Sequence, residues 1–173
     1  MNSKYAPYVI TIIAIAGFII RAMYWYPLLP DKVAIHFGFD GTPDNWSDKM
    51  DFIIIMGSVI LFLVLVFFGL SMLVKALPDS MINLPNKEHW LASERRESTL
   101  DAVSQFLKDI GSRTLLFMAV IFEITSRTNA SHSQHLDSQQ FVVVLVMYLL
   151  LVVVAIVYFV RKFYNPEHPS TTT

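Results

Sequence analysis

Hydrophobic positions gather into four runs along the chain, and the polar positions between them are unevenly shared. From Pro7 the run PYVITIIAIAGFII reaches Ile20 without a charge, and Arg21 and the aromatic cluster Tyr24, Trp25 and Tyr26 follow. Residues 7–26 read as a first membrane-crossing helix with an interfacial aromatic belt, ended by Pro27 and Pro30. A cleaved signal peptide is the alternative, but no small-residue cleavage site follows Ile20. Arg21 lies near enough to the belt to snorkel. Residues 52–74 hold no charge over FIIIMGSVILFLVLVFFGLSMLV, enough to cross a hydrocarbon core of about 30 Å. Gly57, Ser58, Gly69 and Ser71 are small residues that would let a neighbouring helix approach.

The third run is weaker. Residues 110–125 are closely bracketed by Lys108, Asp109, Arg113 and Glu123, so the span must borrow from its flanks, and a re-entrant segment competes. Before it, Leu100, Val103, Phe106, Leu107 and Ile110 recur at helical spacing opposite Asp101, Ser104, Gln105 and Lys108. That predicts an amphipathic helix inside a polar stretch at residues 75–109. Asn86 or Ser93 is a candidate cap, and Ser98 with Asp101 matches a capping box. Residues 140–160 form an uncharged, valine-rich fourth run, which lipid forces into a helix. Arg161 and Lys162 stop it, and residues 161–173 read as a tail, disordered from Asn165. The pattern thus predicts an all-α integral membrane protein. It has about four transmembrane helices, a cytoplasmic amphipathic helix and a structured extracytoplasmic loop at residues 27–51, with a second outer loop at 126–139.

Composition agrees. Only 16% of residues are charged, against about a quarter in soluble domains. A net charge of −1 gives no reason to expect nucleic acid. Cysteine is absent, which removes disulfides, thiol catalysis and thiolate ligands. Nine of the 13 basic residues fall on the head, the second polar stretch extended to Arg113, and the tail. The positive-inside rule then puts both termini in the cytoplasm and the loops at 27–51 and 126–139 outside.

Candidate chemistry sits in the polar stretches. In the first, Asp40-Gly41 is a strong turn dipeptide, Phe37 and Trp46 are amphipathic anchors, and His36 is the group that titrates near neutrality. His36, Phe37, Gly41, Asp44, Trp46 and Lys49 form a candidate outer binding surface, with a capping loop as the plainer reading. His36, His132 and His135, with Asp40, Asp44 and Glu123 nearby in type, are a weaker candidate metal set; His132 and His135 share a face only if that stretch is helical. Asn129-Ala130-Ser131 matches a glycosylation acceptor. In the second stretch Asn83, Pro85, Asn86, Lys87, Trp90, Arg95 and Arg96 could meet lipid headgroups, dock a partner or hold a phosphate. Neither a phosphate-binding loop nor a catalytic triad is visible, and no cofactor is indicated.

The stretch LPDKVAIHFGFDGTPDNWSDK resembles a short domain of unknown function found in small bacterial membrane proteins and at the front of SdpI-type toxin immunity proteins. The resemblance is carried by Leu29-Pro30, His36-Phe37, Gly41, Asp44 and Lys49, and by the later run Asn83 to Trp90. Ala34 stands where that pattern has proline, and Asp48 where a small residue is usual. The resemblance implies a bacterial inner-membrane protein of four to six spans, with no established catalytic residues. Binding or sensing through the outer loop, with a peptide or membrane protein as partner, is the leading expectation. A subunit of a larger complex and a membrane metal protein are the alternatives.

Overall fold

A computed structural model describes residues 3–164, and the tail expected from Asn165 lies outside the described residues. Helix α1 (Ala6–Trp25) opens after a short turn at Ser3–Tyr5, with a proline in its first turn, where the missing N–H costs nothing. It ends at Trp25, with Tyr26 still helical as its C-cap and donating its N–H to the Ala22 carbonyl, and Pro27, which has no N–H to continue the ladder, follows. The chain then forms two antiparallel strands, β1 (Lys32–Phe37) and β2 (Pro43–Asp48), and runs directly from β2 into α2 (Lys49–Leu73). The stretch expected outside is therefore a β-hairpin, which the all-α expectation did not contain.

Beyond α2, a turn at Val74–Ala76, the break at Pro78 and a further turn at Asp79–Met81 lead to α3 (Lys87–Trp90). Next, α4 (Arg96–Ala130) runs unbroken for 35 residues, about 52 Å at about 1.5 Å per residue. The expected amphipathic helix and third run are one helix. The expected capping box is absent: Arg95 is the N-cap, and the Ser98 hydroxyl donates to the Arg95 carbonyl from within the first turn. Ser104, expected on the wet face, is buried. Finally, α5 (Ser138–Tyr164) takes in Arg161 and Lys162.

The core lies along α4, which packs extensively on α1 and α2. Phe122 is fully buried, edge-on to Phe18 at 4.8 Å and stacked on Phe52 at 5.5 Å. Helices α4 and α2 approach closely at Gly111, where a Cβ would stand 2.5 Å from the Cβ of Phe67. Of the four small residues singled out on α2, only Ser71 is buried. Gly57 makes only ordinary contact with Phe18, Gly69 faces open space and Ser58 is exposed. Helix α5 touches α4 lightly, through stacked pairs Phe106–Phe159 and Phe117–Tyr148 at 4.0 and 4.2 Å.

Successive long helices reverse direction. The hairpin, the end of α4 and the start of α5 meet at one end, where Leu136 N–H donates to the Gly41 carbonyl. Lys75 pairs with Asp101 at the other end, where α3 meets the last turn of α5. Among the described residues three helices are long and apolar enough to cross a membrane: Ala6–Trp25, Lys49–Ala76 and Ser138–Tyr164. Their outward faces are dense in exposed Ile, Leu, Val and Phe, and none of the most apolar stretch of α5 is buried in the chain. Apolar surface on that scale belongs in lipid. The chain is a mostly helical protein suited to a membrane.

Candidate functional site

The hairpin is short and irregular, and its irregularities place its chemistry. Ala34 pairs with Trp46, His36 with Asn45 and Phe37 with Pro43. One residue, Ile35, is therefore extra in β1, and one, Asp44, is extra in β2. Such bulges re-aim side chains. Here they set His36 Nδ1 2.5 Å from Asp44 Oδ1, with both side chains more than half exposed. The turn spans Gly38 to Thr42, closed by Gly38 N–H to the Thr42 carbonyl at 2.8 Å and Gly41 N–H to the Gly38 carbonyl at 2.9 Å. Gly41 has φ +85°, the left-handed region that only glycine enters freely. Asp40 accepts from the Thr42 hydroxyl and backbone N–H at 2.6 and 3.0 Å. Those bonds, the hydroxyl's foremost, hold the Asp40 carboxyl below its ordinary range.

Three fixtures mount the hairpin on the helices. Lys49 closes its base, with its backbone N–H on the Asp31 carbonyl and its ammonium on the Asp31 carboxylate, each at 3.0 Å. Gly41 is pressed so close to the Leu136 carbonyl that any Cβ there would collide with it. The third fixture is Asn129, at the end of α4. Its side-chain oxygen accepts from Ala34 N–H at 2.6 Å, and its nitrogen donates to the Ala34 carbonyl at 2.9 Å and to the Thr125 carbonyl at 3.1 Å. A primary amide presents the same acceptor and donor as a peptide group, so Asn129 pairs with β1 as a third strand would. Asn129 is 1% exposed, and its nitrogen is committed to these bonds. It is thus closed to glycosylation in this fold.

What the mount leaves free is a set of large side chains. Ile35 and Trp46 are exposed, and Phe39 at the tip is wholly so, with a relative exposure of 108%. Of the residues singled out in this stretch, His36, Asp44 and Trp46 are displayed, Phe37 is half-buried beside Pro43, and Gly41 and Lys49 are mounting points. Sequence reasoning missed Phe39 and Asn129. The signal for Phe39 was its place between turn-formers in Gly38-Phe39-Asp40-Gly41, where an aromatic has no face to bury. The metal set does not assemble: His132 and His135 lie in a non-helical turn, and among the described residues no three His, Asp or Glu side chains converge to hold an ion.

The second polar stretch uses its side chains internally. Asn86, in the left-handed conformation at φ 52°, donates to the Phe163 and Tyr164 carbonyls, each at 3.0 Å. Trp90 Nε1–H donates to the same Phe163 carbonyl at 2.9 Å, with its ring edge-on to Phe163. These are last-turn carbonyls of α5, which have no partner within their own helix. Arg95 donates to the His89 carbonyl, and Arg96 to Asp79 and the Leu77 carbonyl, all at 2.8–2.9 Å. Ile82, Leu91 and Leu100 form a small core beneath. Asn83 is exposed, Pro85 and Lys87 half-buried.

Between α1, α4 and α5, just below the hairpin, lies a cleft of about 390 Å³ with Arg21, Glu123, Arg127 and Gln140 along its polar part. Arg21 does not simply snorkel. Its Nε and Nη2 each donate to one oxygen of Glu123 at 2.8 Å, and Trp25 Nε1–H donates to Glu123 Oε2 at 2.9 Å. A two-pronged pair of this kind is how a helix bundle keeps opposite charges at membrane depth. Glu123, counted with the metal ligands from its type alone, is occupied by Arg21.

No curated protein and no solved structure matches the chain. The Asn83–Trp90 run, which carried part of the resemblance seen in the sequence, lies outside the matched family region described next. Residues 12–61, which comprise most of α1, the whole hairpin and the first half of α2, match the family described as a domain of unknown function, DUF1648.

Proposed function

We propose that this chain is a four-crossing protein of a bacterial plasma membrane that binds an extracytoplasmic peptide or envelope component through its hairpin. The observation that carries the reading is the contrast within the hairpin: a backbone fixed at Ala34, Gly41 and Lys49, and Phe39, Trp46 and Ile35 left exposed on it. Rigidly held aromatic side chains lose little entropy on binding, and they dominate recognition surfaces. The His36–Asp44 pair beside them adds a polar contact. A sensor of the cell surface and a toxin-immunity protein are the two forms of this reading, the second suggested by the resemblance of residues 29–49.

The fourth crossing in this reading is α4. Its charges fit a crossing because Glu123 is met by Arg21 and Trp25, and its small buried positions face α1 and α2. The surplus of basic residues at the α3 end supports placing that end, with both termini, in the cytoplasm. Because the chain has no cysteine, single introduced ones are clean reporters. Phe39→Cys and Ser133→Cys are expected to react with a membrane-impermeant maleimide on intact cells, and Ser93→Cys only after permeabilisation. The opposite pattern reverses the orientation. Labelling of Phe39→Cys without Ser133→Cys removes the fourth crossing.

The binding itself is tested with a photo-crosslinking amino acid at position 39 in living cells. One or a few discrete protein or peptide adducts, lost when Trp46 is changed to Ala, are the expected result. Adducts to phospholipid alone would mean that the aromatics are interfacial anchors, and the recognition reading would fall.

A further inference from the structure

From the cleft between α1, α4 and α5 we infer a binding site for one anionic phospholipid from the leaflet on the hairpin side. The polar part carries two guanidinium groups, Arg21 and Arg127, against one carboxylate, Glu123, so a net positive charge faces the opening beside the Gln140 amide. Glu123 is committed to Arg21 at 2.8 Å. Arg127 reaches it only at 3.4 Å, and its side chain is 68% exposed. Arg127 is therefore the cation free to take a headgroup phosphate, a pairing to which the guanidinium fork is suited.

The apolar part supplies the second observation. Gly17 of α1 and Val144 of α5 line the cleft, and nothing lies within 4 Å of where a Gly17 Cβ would be. Glycine is the poorest helix former after proline. In membrane helices it usually lets another helix approach, yet no helix approaches here. What its missing side chain does is keep the cleft open. A turn below Arg21, it deepens the cleft on the side away from the hairpin, where an acyl chain would run from a phosphate held by Arg127.

The volume, about 390 Å³, lies in the range of roughly 300–1,000 Å³ typical of small-ligand sites. A thin acyl chain under a compact phosphate fits both the walls and the charge. The inference rests on α1, α4 and α5 lying in a bilayer. It does not depend on which face is outside or on what the hairpin binds.

Native mass spectrometry of the full chain, titrated in detergent with phosphatidylglycerol and separately with phosphatidylethanolamine, tests it. One phosphatidylglycerol is expected to be retained in preference to phosphatidylethanolamine. Gly17→Leu, which fills the cleft while improving helix propensity, abolishes that retention. Arg127→Gln weakens the preference about fivefold, the effect of one basic residue at a lipid phosphate. Equal retention of the two lipids by the unaltered chain overturns the inference, as does retention unchanged in both variants. A dimer or bound peptide that Gly17→Leu disperses also overturns it. If Gly17→Leu does not fold, Arg127→Gln decides alone, its side chain being mostly solvent-facing. Phe39→Ser leaves lipid retention intact, so a failed hairpin reading and a failed lipid site are separable.

Discussion

The two polar ends of the molecule use the same kinds of residue in opposite ways. At the α3 end, Asn86, Trp90, Arg95 and Arg96 all turn inward, and the carbonyls that end α5 receive two of them. At the hairpin end the backbone is held by Asn129 and Lys49, Val33 anchors β1 in the core, and His36, Asp44, Trp46 and Phe39 are left on display. A stretch rich in Trp, Arg, Asn and His can be a clamp or a display, and composition does not separate the two. What separates them is whether unpaired backbone groups lie within reach. The end of a helix offers free carbonyls, so polar side chains near it are drawn in. A hairpin satisfies most of its own backbone and leaves its side chains available.

The strongest way to break the contrast is at Asn129. Asn129→Ala leaves Ala34 N–H and C=O buried without partners, at about 1–3 kcal/mol for each such group. We expect a loss of about 3 kcal/mol in the docking of the hairpin. Hydrogen exchange at Ala34 should then quicken about a hundredfold, since about 1.4 kcal/mol is tenfold. The α3 end should keep its protection. If Ala34 stays protected in the variant, the hairpin holds itself and Asn129 is not its mount.

That residue also marks where the sequence ceased to be legible. Helices α2 and α5 are written plainly, because an uncharged run longer than a bilayer has one stable answer in lipid, and α1, whose uncharged run stops at Ile20, is completed by its aromatic belt. The turn at Asp40-Gly41 was equally plain, since φ +85° needs glycine. Helix α4 was split in two because its contacts are made by Ser104, Gly111, Ser112, Ser126 and Asn129, all buried. On a hydropathy scale those read as surface; in the fold they allow α1 and α2 to close on α4. The hairpin's strands were hidden because KVAIHF is bulged at Ile35 and PDNWSD is mostly polar, so neither alternates cleanly. Asn129 carried a local motif that suggested glycosylation, while its partner, Ala34, is 95 residues away. Ala34 itself departs from the proline of the resembling pattern, and its N–H, which a proline would lack, is what Asn129 uses.

A smaller effect sharpens the other side. Trp90→Phe removes one donor and keeps the ring against Phe163, whose carbonyl retains Asn86 at 3.0 Å. The expected cost is about 1 kcal/mol, the usual net value of one hydrogen bond. It should be read as a modest fall in thermal stability, with hydrogen exchange at Ala34 unchanged. Faster exchange at Ala34 would show that the clamp at one end and the display at the other are coupled through α4 and α5, and the contrast would be one of degree.

The smallest predicted effect lies at the hairpin tip. Asp40 is fully solvated, and its carboxyl is lowered first by the Thr42 hydroxyl, then by the Thr42 N–H, with His135 adding attraction when charged. A carboxyl that is more acidic folded than unfolded steadies the turn above its ordinary pKa, and that contribution fades as pH falls through the lowered value. The turn should therefore loosen in acid, while Ala34 and Asn129, which do not titrate, stay paired. The Thr42 amide proton in an NMR titration is the reporter. It should move upfield with an acid midpoint below the ordinary aspartate value of about 3.9, and Asp40→Asn should abolish the step. A midpoint at the ordinary value would mean that the Thr42 bonds do not persist in solution, and the tip carrying Phe39 would then be looser than the strands that hold it. Recognition would in that case rest on Trp46 and Ile35, whose backbone is fixed by strand pairing and, through Ala34, by Asn129.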